Sequence, residues 1–169
     1  NNFSNVTVRN SQRKLLKEVN NTGMVVISDI SDTIDIHPKN KQEVGKRLAL
    51  VAEKVIYGNN ENVYSGPTFK EFKTVNDSIV IEFTNTGTGL KVKDQYGYVK
   101  GFAIAGNDKV FKWAKGYQNG NTLILYNETI KKPTAVRYDW GNSPDGNIYN
   151  KEGLPAVPFR TDNYPLNFE

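Results

Sequence analysis

A chain of 169 residues that is 37% hydrophobic can bury one ordinary core or two small ones, and none of its apolar runs approaches the roughly 18 residues that cross a bilayer as a helix. With no cysteine and a single histidine, a disulfide framework, a thiolate zinc site, a cysteine nucleophile and a multi-histidine metal centre are excluded, and no acidic loop of calcium-binding type is visible. The net charge of +4 is spread in scattered lysines and arginines, not gathered in a patch that could track phosphates, so neither nucleic acid nor membrane is expected as a partner.

The chain changes character near residue 60. Ser11 to Val19 reads as a short helix that Ser11 could cap, and Asn20-Asn21-Thr22-Gly23 ends it. The continuous apolar run Met24-Val25-Val26-Ile27 reads as a buried strand of a parallel sheet, followed by a loop from Ser28 to Pro38. Lys41 to Tyr57 is the clearest helix, with Val44, Leu48, Val51, Ala52 and Val55 on one face and Gly58 as its stop. Helix, strand, loop and helix form an α/β unit that lacks the neighbours a sheet needs.

After the polar stretch Asn59 to Asn62, turn residues punctuate short strand candidates. These are Thr68 to Val75, Ser78 to Phe83, Leu90 to Lys93, Gly101 to Ala105, Lys109 to Lys115, Thr122 to Tyr126 and Thr134 to Trp140. Their spacing predicts an antiparallel sandwich or jelly roll. The proline-bearing tail from Gly141 to Glu169 reads as an irregular surface segment, one that could pack back and brace the α/β unit.

One constellation carries chemistry: Asp35-Ile36-His37-Pro38, on the loop between the expected strand and helix, where α/β proteins place reacting groups. Asp35 and His37 stand two apart, so in an extended segment the carboxylate can reach Nδ1–H and leave Nε2 free to take a proton. A lone Asp-x-His is more often a polar turn, and Asp32 and Asp29 are further candidate carboxylates among which periodicity does not choose.

The stretch from Asp35 through His37, Pro38, Asn40, Glu43, Gly45 and Arg47 to Leu50 resembles the histidine block of the sialate O-acetylesterase family, which are SGNH-type serine hydrolases. Asn21 to Val26 resembles the strand entering that block, and Ser65-Gly66-Pro67-Thr68-Phe69 resembles the entry to the family's C-terminal β region. Gly89 to Lys93 and Gly101 to Gly106 match further on, as do Ala135 to Trp140, Tyr149 to Ala156 and Pro158 to Asp162. The resemblance implies that residues 1–58 are the last segment of a three-layer SGNH-type hydrolase domain, 59–64 a linker and 65–169 a β-sandwich or jelly-roll-like domain. It implies a serine esterase that removes acetyl groups from sialic acid or another acetylated glycan, without a cofactor, in an extracytoplasmic setting. His37 takes the histidine role and Asp35 the acidic one, although the wider pattern Asp-x-x-His would place the acid at Ile34.

The family's Gly-Gln-Ser-Asn nucleophile block and its oxyanion glycine and asparagine are absent from this sequence, and Ser28 and Ser31 lack a glycine-flanked setting. The expected partner is therefore the N-terminal remainder of the same hydrolase, and the chain alone is expected to be inactive. Two alternatives share the residues: a non-catalytic β-sandwich module that binds glycan or serves as a scaffold, and a fragment of an acetylxylan-type esterase. Trp113, Trp140 and the tyrosines read as the sandwich core and its rim before sugar platform. Arg137 and Arg160 read as ion pairs with Asp139 or Asp162 before ligand contacts, and Lys131-Lys132 as a solvated turn.

Overall fold

The structure, a computed structural model, describes residues 4–31, 35 and 37–165. Two helices come first: α1 (Ser4–Glu18) and α2 (Lys41–Val55), with a 3-10 turn at Ser28–Ile30 between them. Ten strands follow: β1 (Thr68–Val75), β2 (Ser78–Thr84), β3 (Leu90–Val92), β4 (Phe102–Ala105), β5 (Lys112–Trp113), β6 (Lys115–Asn119), β7 (Thr122–Tyr126), β8 (Ala135–Tyr138), β9 (Ile148–Asn150) and β10 (Phe159–Arg160). All pairings are antiparallel. They make a four-stranded sheet in the order β1-β2-β7-β6, a second in the order β10-β8-β4-β5, and a two-stranded ribbon of β3 and β9.

The two larger sheets share one core. Ile79 and Ile81 of β2 and Leu123 and Leu125 of β7 alternate inward, as period-2 strands do when one face is buried. They meet Phe102 and Ile104 of β4, Val136 and Tyr138 of β8, and Phe159 of β10 in a single cluster. In β1 the register slips between Phe69 and Glu71. That bulge lets Phe69 and Phe72, three residues apart, both pack on the core, where strict alternation would send one outward. Phe69 then stacks on Phe159 of the opposite sheet at 4.5 Å between ring centroids, joining the two layers.

Several expectations change. Met24–Ile27 is not a strand: no segment among the described residues pairs with it, and Ile27 leaves the extended region with φ −129° and ψ 9°. It is held from the side by α2, where Gly23 sits so close to Val51 that a Cβ would fall 2.1 Å from a Val51 methyl. The first helix starts at Ser4, which places Ser11 in its interior and not at its cap. The expected strand Lys109 to Lys115 divides at Ala114, whose N–H bonds to the Phe102 carbonyl, so that Trp113 pairs in one sheet and Lys115 in the other. The tail is not wholly irregular, because β9 and β10 dock it onto β3 and β8.

Candidate active site

The second helix builds the downstream side of the Asp35–His37 loop. Asn40 caps it by accepting the Glu43 backbone N–H at 3.1 Å. Its buried stripe differs from the expected one: Arg47 and Val51 are buried, whereas Leu48 is half-exposed. The Arg47 guanidinium makes four hydrogen bonds to its neighbours. Nε donates to Glu43 at 3.1 Å, Nη1 to the Val26 carbonyl at 2.6 Å and to Asp29 Oδ1 at 2.7 Å, and Nη2 to Asp29 Oδ2 at 2.8 Å. The hydrogen bonds to Asp29 raise the Arg47 pKa above its ordinary value against the opposing effect of burial. Asp29 is thereby committed to Arg47.

The Asp35 carboxylate turns toward His37. Its Oδ1 accepts the His37 backbone N–H at 2.9 Å and lies 2.9 Å from Nδ1. The histidine side chain is 78% exposed, so the ring stands open to solvent with Nε2 turned to no protein partner among the described residues. Asp32, the remaining candidate carboxylate, and Ile34 lie outside the described residues. Ser31 Oγ donates to the Ile27 carbonyl at 2.8 Å. No serine hydroxyl among the described residues bonds to the imidazole.

The other candidates separate cleanly. Arg137 makes a two-pronged pair with Asp162, 2.8 Å at each prong, and Arg160 Nη2 approaches the same carboxylate at 2.7 Å. Burial pushes the Asp162 carboxyl up, but the Arg137 hydrogen bonds and the two guanidinium charges outweigh it and hold the pKa below the ordinary value. The Arg137 guanidinium also lies over the Phe111 ring at 3.9 Å. Both arginines are thus structural. Trp113 is not core: it is 75% exposed.

Sequence reasoning passed over two groups. Arg47 is one of these, because a charge at a core-facing position carries no periodic signal of its own. Asp139 was weighed only as an ion-pair partner. It is buried with a φ of 51°, and burial raises its pKa to about 7. A groove of about 340 Å³ runs between α1, the Met24–Ile27 segment and the loop 140–144. Arg9 and Arg13 of α1 and Trp140 each turn a buried N–H without a partner near it, and neither Asp35 nor His37 lines it.

The chain is 42% identical to a carbohydrate acetylesterase from Xanthomonas citri whose crystal structure superposes with a TM-score of 0.87, covering 94% of this chain and 36% of that one. It is 31% identical over 153 residues to the sialate O-acetylesterase of Mus musculus. This chain is a sialate O-acetylesterase-like C-terminal portion. The sialate O-acetylesterase of Rattus norvegicus shows the same 31% identity over 82% of this chain. The chain spans 28% of the length of these two mammalian sialate O-acetylesterases. No protein-family profile matches it.

Proposed function

We propose that this chain supplies the histidine and its carboxylate to a carbohydrate O-acetylesterase acting on O-acetylated sialic acid or a related acetylated glycan. The observation that carries the reading is the Asp35–His37 pair, with Oδ1 2.9 Å from Nδ1 and the ring open to solvent. The carboxylate favours the Nδ1–H tautomer, which leaves Nε2 as the base. In the proposed reaction a serine hydroxyl gives its proton to Nε2 as its oxygen attacks the acetyl carbonyl. The imidazolium returns that proton to the departing sugar oxygen, and water releases acetate from the acyl-serine in a second, mirrored step.

The serine belongs, in this reading, to polypeptide N-terminal to these residues, with residues 1–58 closing an SGNH-type domain and 65–169 forming a jelly-roll-like domain. Support comes from the partial span of the relatives and from the apolar surface left on the helical part. Val8, Leu15, Leu16, Val19 and Leu48 are exposed there, and Met24–Ile27 has no strand beside it among the described residues.

The test uses a polypeptide extended upstream to include a glycine-flanked serine, assayed for acetyl release from O-acetylated sialic acid. His37→Ala is expected to lower kcat about 10³-fold with the fold intact, and Asp35→Asn to lower it by a smaller factor. Unchanged turnover in folded His37→Ala rejects the reading. The same assay on acetylxylan separates the two substrate classes.

A second reading, glycan binding by the β region, is favoured by one observation: Trp113, Tyr96 and Tyr98 are exposed, and the two tyrosine rings lie 6.0 Å apart. Quenching of tryptophan fluorescence by acetylated sugars, lost in Trp113→Ala, is the expected signature. Absence of quenching removes this reading.

A further inference from the structure

The loop bearing Asp35 and His37 leaves the 3-10 turn Ser28–Ile30 and enters α2 at Lys41. Its downstream end is fixed by the Asn40 cap. On its upstream side, among the described residues, no sheet fixes it and the 3-10 turn has no side-chain cap. Arg47, on the second turn of α2, supplies what is missing. It reaches across the loop to hold the Val26 carbonyl and both oxygens of Asp29, while Glu43 steadies Nε from the same helix. The two side chains are 5% and 9% exposed, so the pair is a buried, forked contact between the two ends of one loop.

A buried ion pair is a poor source of net stability, because removing both charges from water costs about what their attraction returns. Its directional fork does define a position, and an ammonium cannot reproduce it. The β region joins the same contact. Tyr149 of β9 lies against Asp29, and its hydroxyl pKa is pushed to about 12 by burial and by the Asp29 charge.

We infer that Arg47, acting through Asp29 and the Val26 carbonyl, is a positioning residue for the Asp35–His37 pair. The inference rests on the catalytic reading for its functional meaning but not for its test. Because Asp35 Oδ1 must meet both the backbone N–H and Nδ1 of a residue only two positions on, the pairing depends on the local course of the backbone. The pair lies in sequence between the two ends that Arg47 and Asn40 hold.

The experiment uses the sole histidine of the chain. Nitrogen-15 NMR of the ring in the 169-residue protein, above the pH at which it is neutral, reports the ratio of the Nδ1–H to the Nε2–H tautomer. The parent protein is expected to favour Nδ1–H. Arg47→Met is expected to reduce that ratio about fivefold, the factor one net hydrogen bond carries, and Arg47→Lys to reduce it by less. Amide signals of Ile79, Ile81 and Ile104 confirm that each variant keeps the β core. If Arg47→Met does not fold, Arg47→Lys and Asp29→Asn carry the test. A folded variant with lowered melting temperature and the parent tautomer ratio overturns the inference and leaves Arg47 a stabilising residue only. Retained turnover in His37→Ala overturns the catalytic reading alone, whatever the tautomer ratio shows.

Discussion

Asp139 is a carboxylate where water is largely excluded. Gly101 and Gly146 press on it so closely that a Cβ on either would come within 2.5 Å and 2.2 Å of Oδ1, and that oxygen has no hydrogen-bond partner. Burial raises its pKa to about 7, with a Gly146 backbone hydrogen bond and the Arg9 charge opposing. The folded state therefore holds a proton that the unfolded state, with an ordinary value of 3.8, has released. Stability falls as pH rises between those two values and is lowest above the upper one. Asp139→Asn, which keeps the shape and tolerates the positive φ, is expected to raise stability by about 2 kcal/mol at pH 8 and by little at pH 4. Urea melts at the two pH values measure the difference, and equal effects at both would show that charge is not the cause. Asp162 behaves in the opposite sense. It neutralises Arg137 and Arg160, so Asp162→Ala strands two half-buried cations and is expected to cost about 3 kcal/mol by denaturant unfolding.

Among the elements, the strands with clear alternation and turn residues at both ends were legible. Ser78–Thr84 and Thr122–Tyr126 alternate as their patterns require, and the loops Asn76–Asp77 and Gly120–Asn121 join their hairpins. The β9 and β10 strands span three and two residues, too few for a period to register, and their partners β3 and β8 are far away in sequence. The division at Ala114 was equally hidden, since it is marked by the hydrogen bond from the Ala114 N–H to the distant Phe102 carbonyl. Helix α2 was legible, but its cap, Asn40, precedes the expected start by one residue. Asn40→Ala is expected to lower stability by about 1 kcal/mol in thermal melts, with the loss confined to the helical part as judged by amide exchange. Gly66 marks the entry to the β region. An added Cβ would meet the Pro155 carbonyl at 1.9 Å, so Gly66→Ala is expected to shift the tail docking and lower the melting temperature.

At the scale of the molecule, the chain is unevenly packed. The β region closes a core in which Ile79, Ile81, Ile104, Leu123 and Leu125 are fully buried. The helical part leaves Val8, Leu15, Leu16 and Leu48 at the surface and attaches through a few contacts: Arg9 to the Gly141 carbonyl, Val6, and Tyr149 against Asp29. Hydrogen exchange in the 169-residue chain is expected to be slowest in β2 and β7 and much faster in α1, because local opening follows the density of buried apolar contacts. Comparable protection in both would mean that the helical part is stable without a covering surface. Of the tail expected to pack back on this unit, Asn142 to Pro144 and Pro158 line the groove beside α1.

From the residues alone came the antiparallel β-rich character, the helix at 41, the adjacency of Asp35 and His37, and the family resemblance. These depend on local periodicity, turn chemistry and short spacings, all written in consecutive residues. Only the tertiary structure decided that Met24–Ile27 has no strand partner among the described residues, that Asp29 belongs to Arg47, that Trp113 faces water and that Asp139 is buried. Each of those depends on what another part of the chain brings within a few ångströms, and periodicity along the sequence carries no record of that.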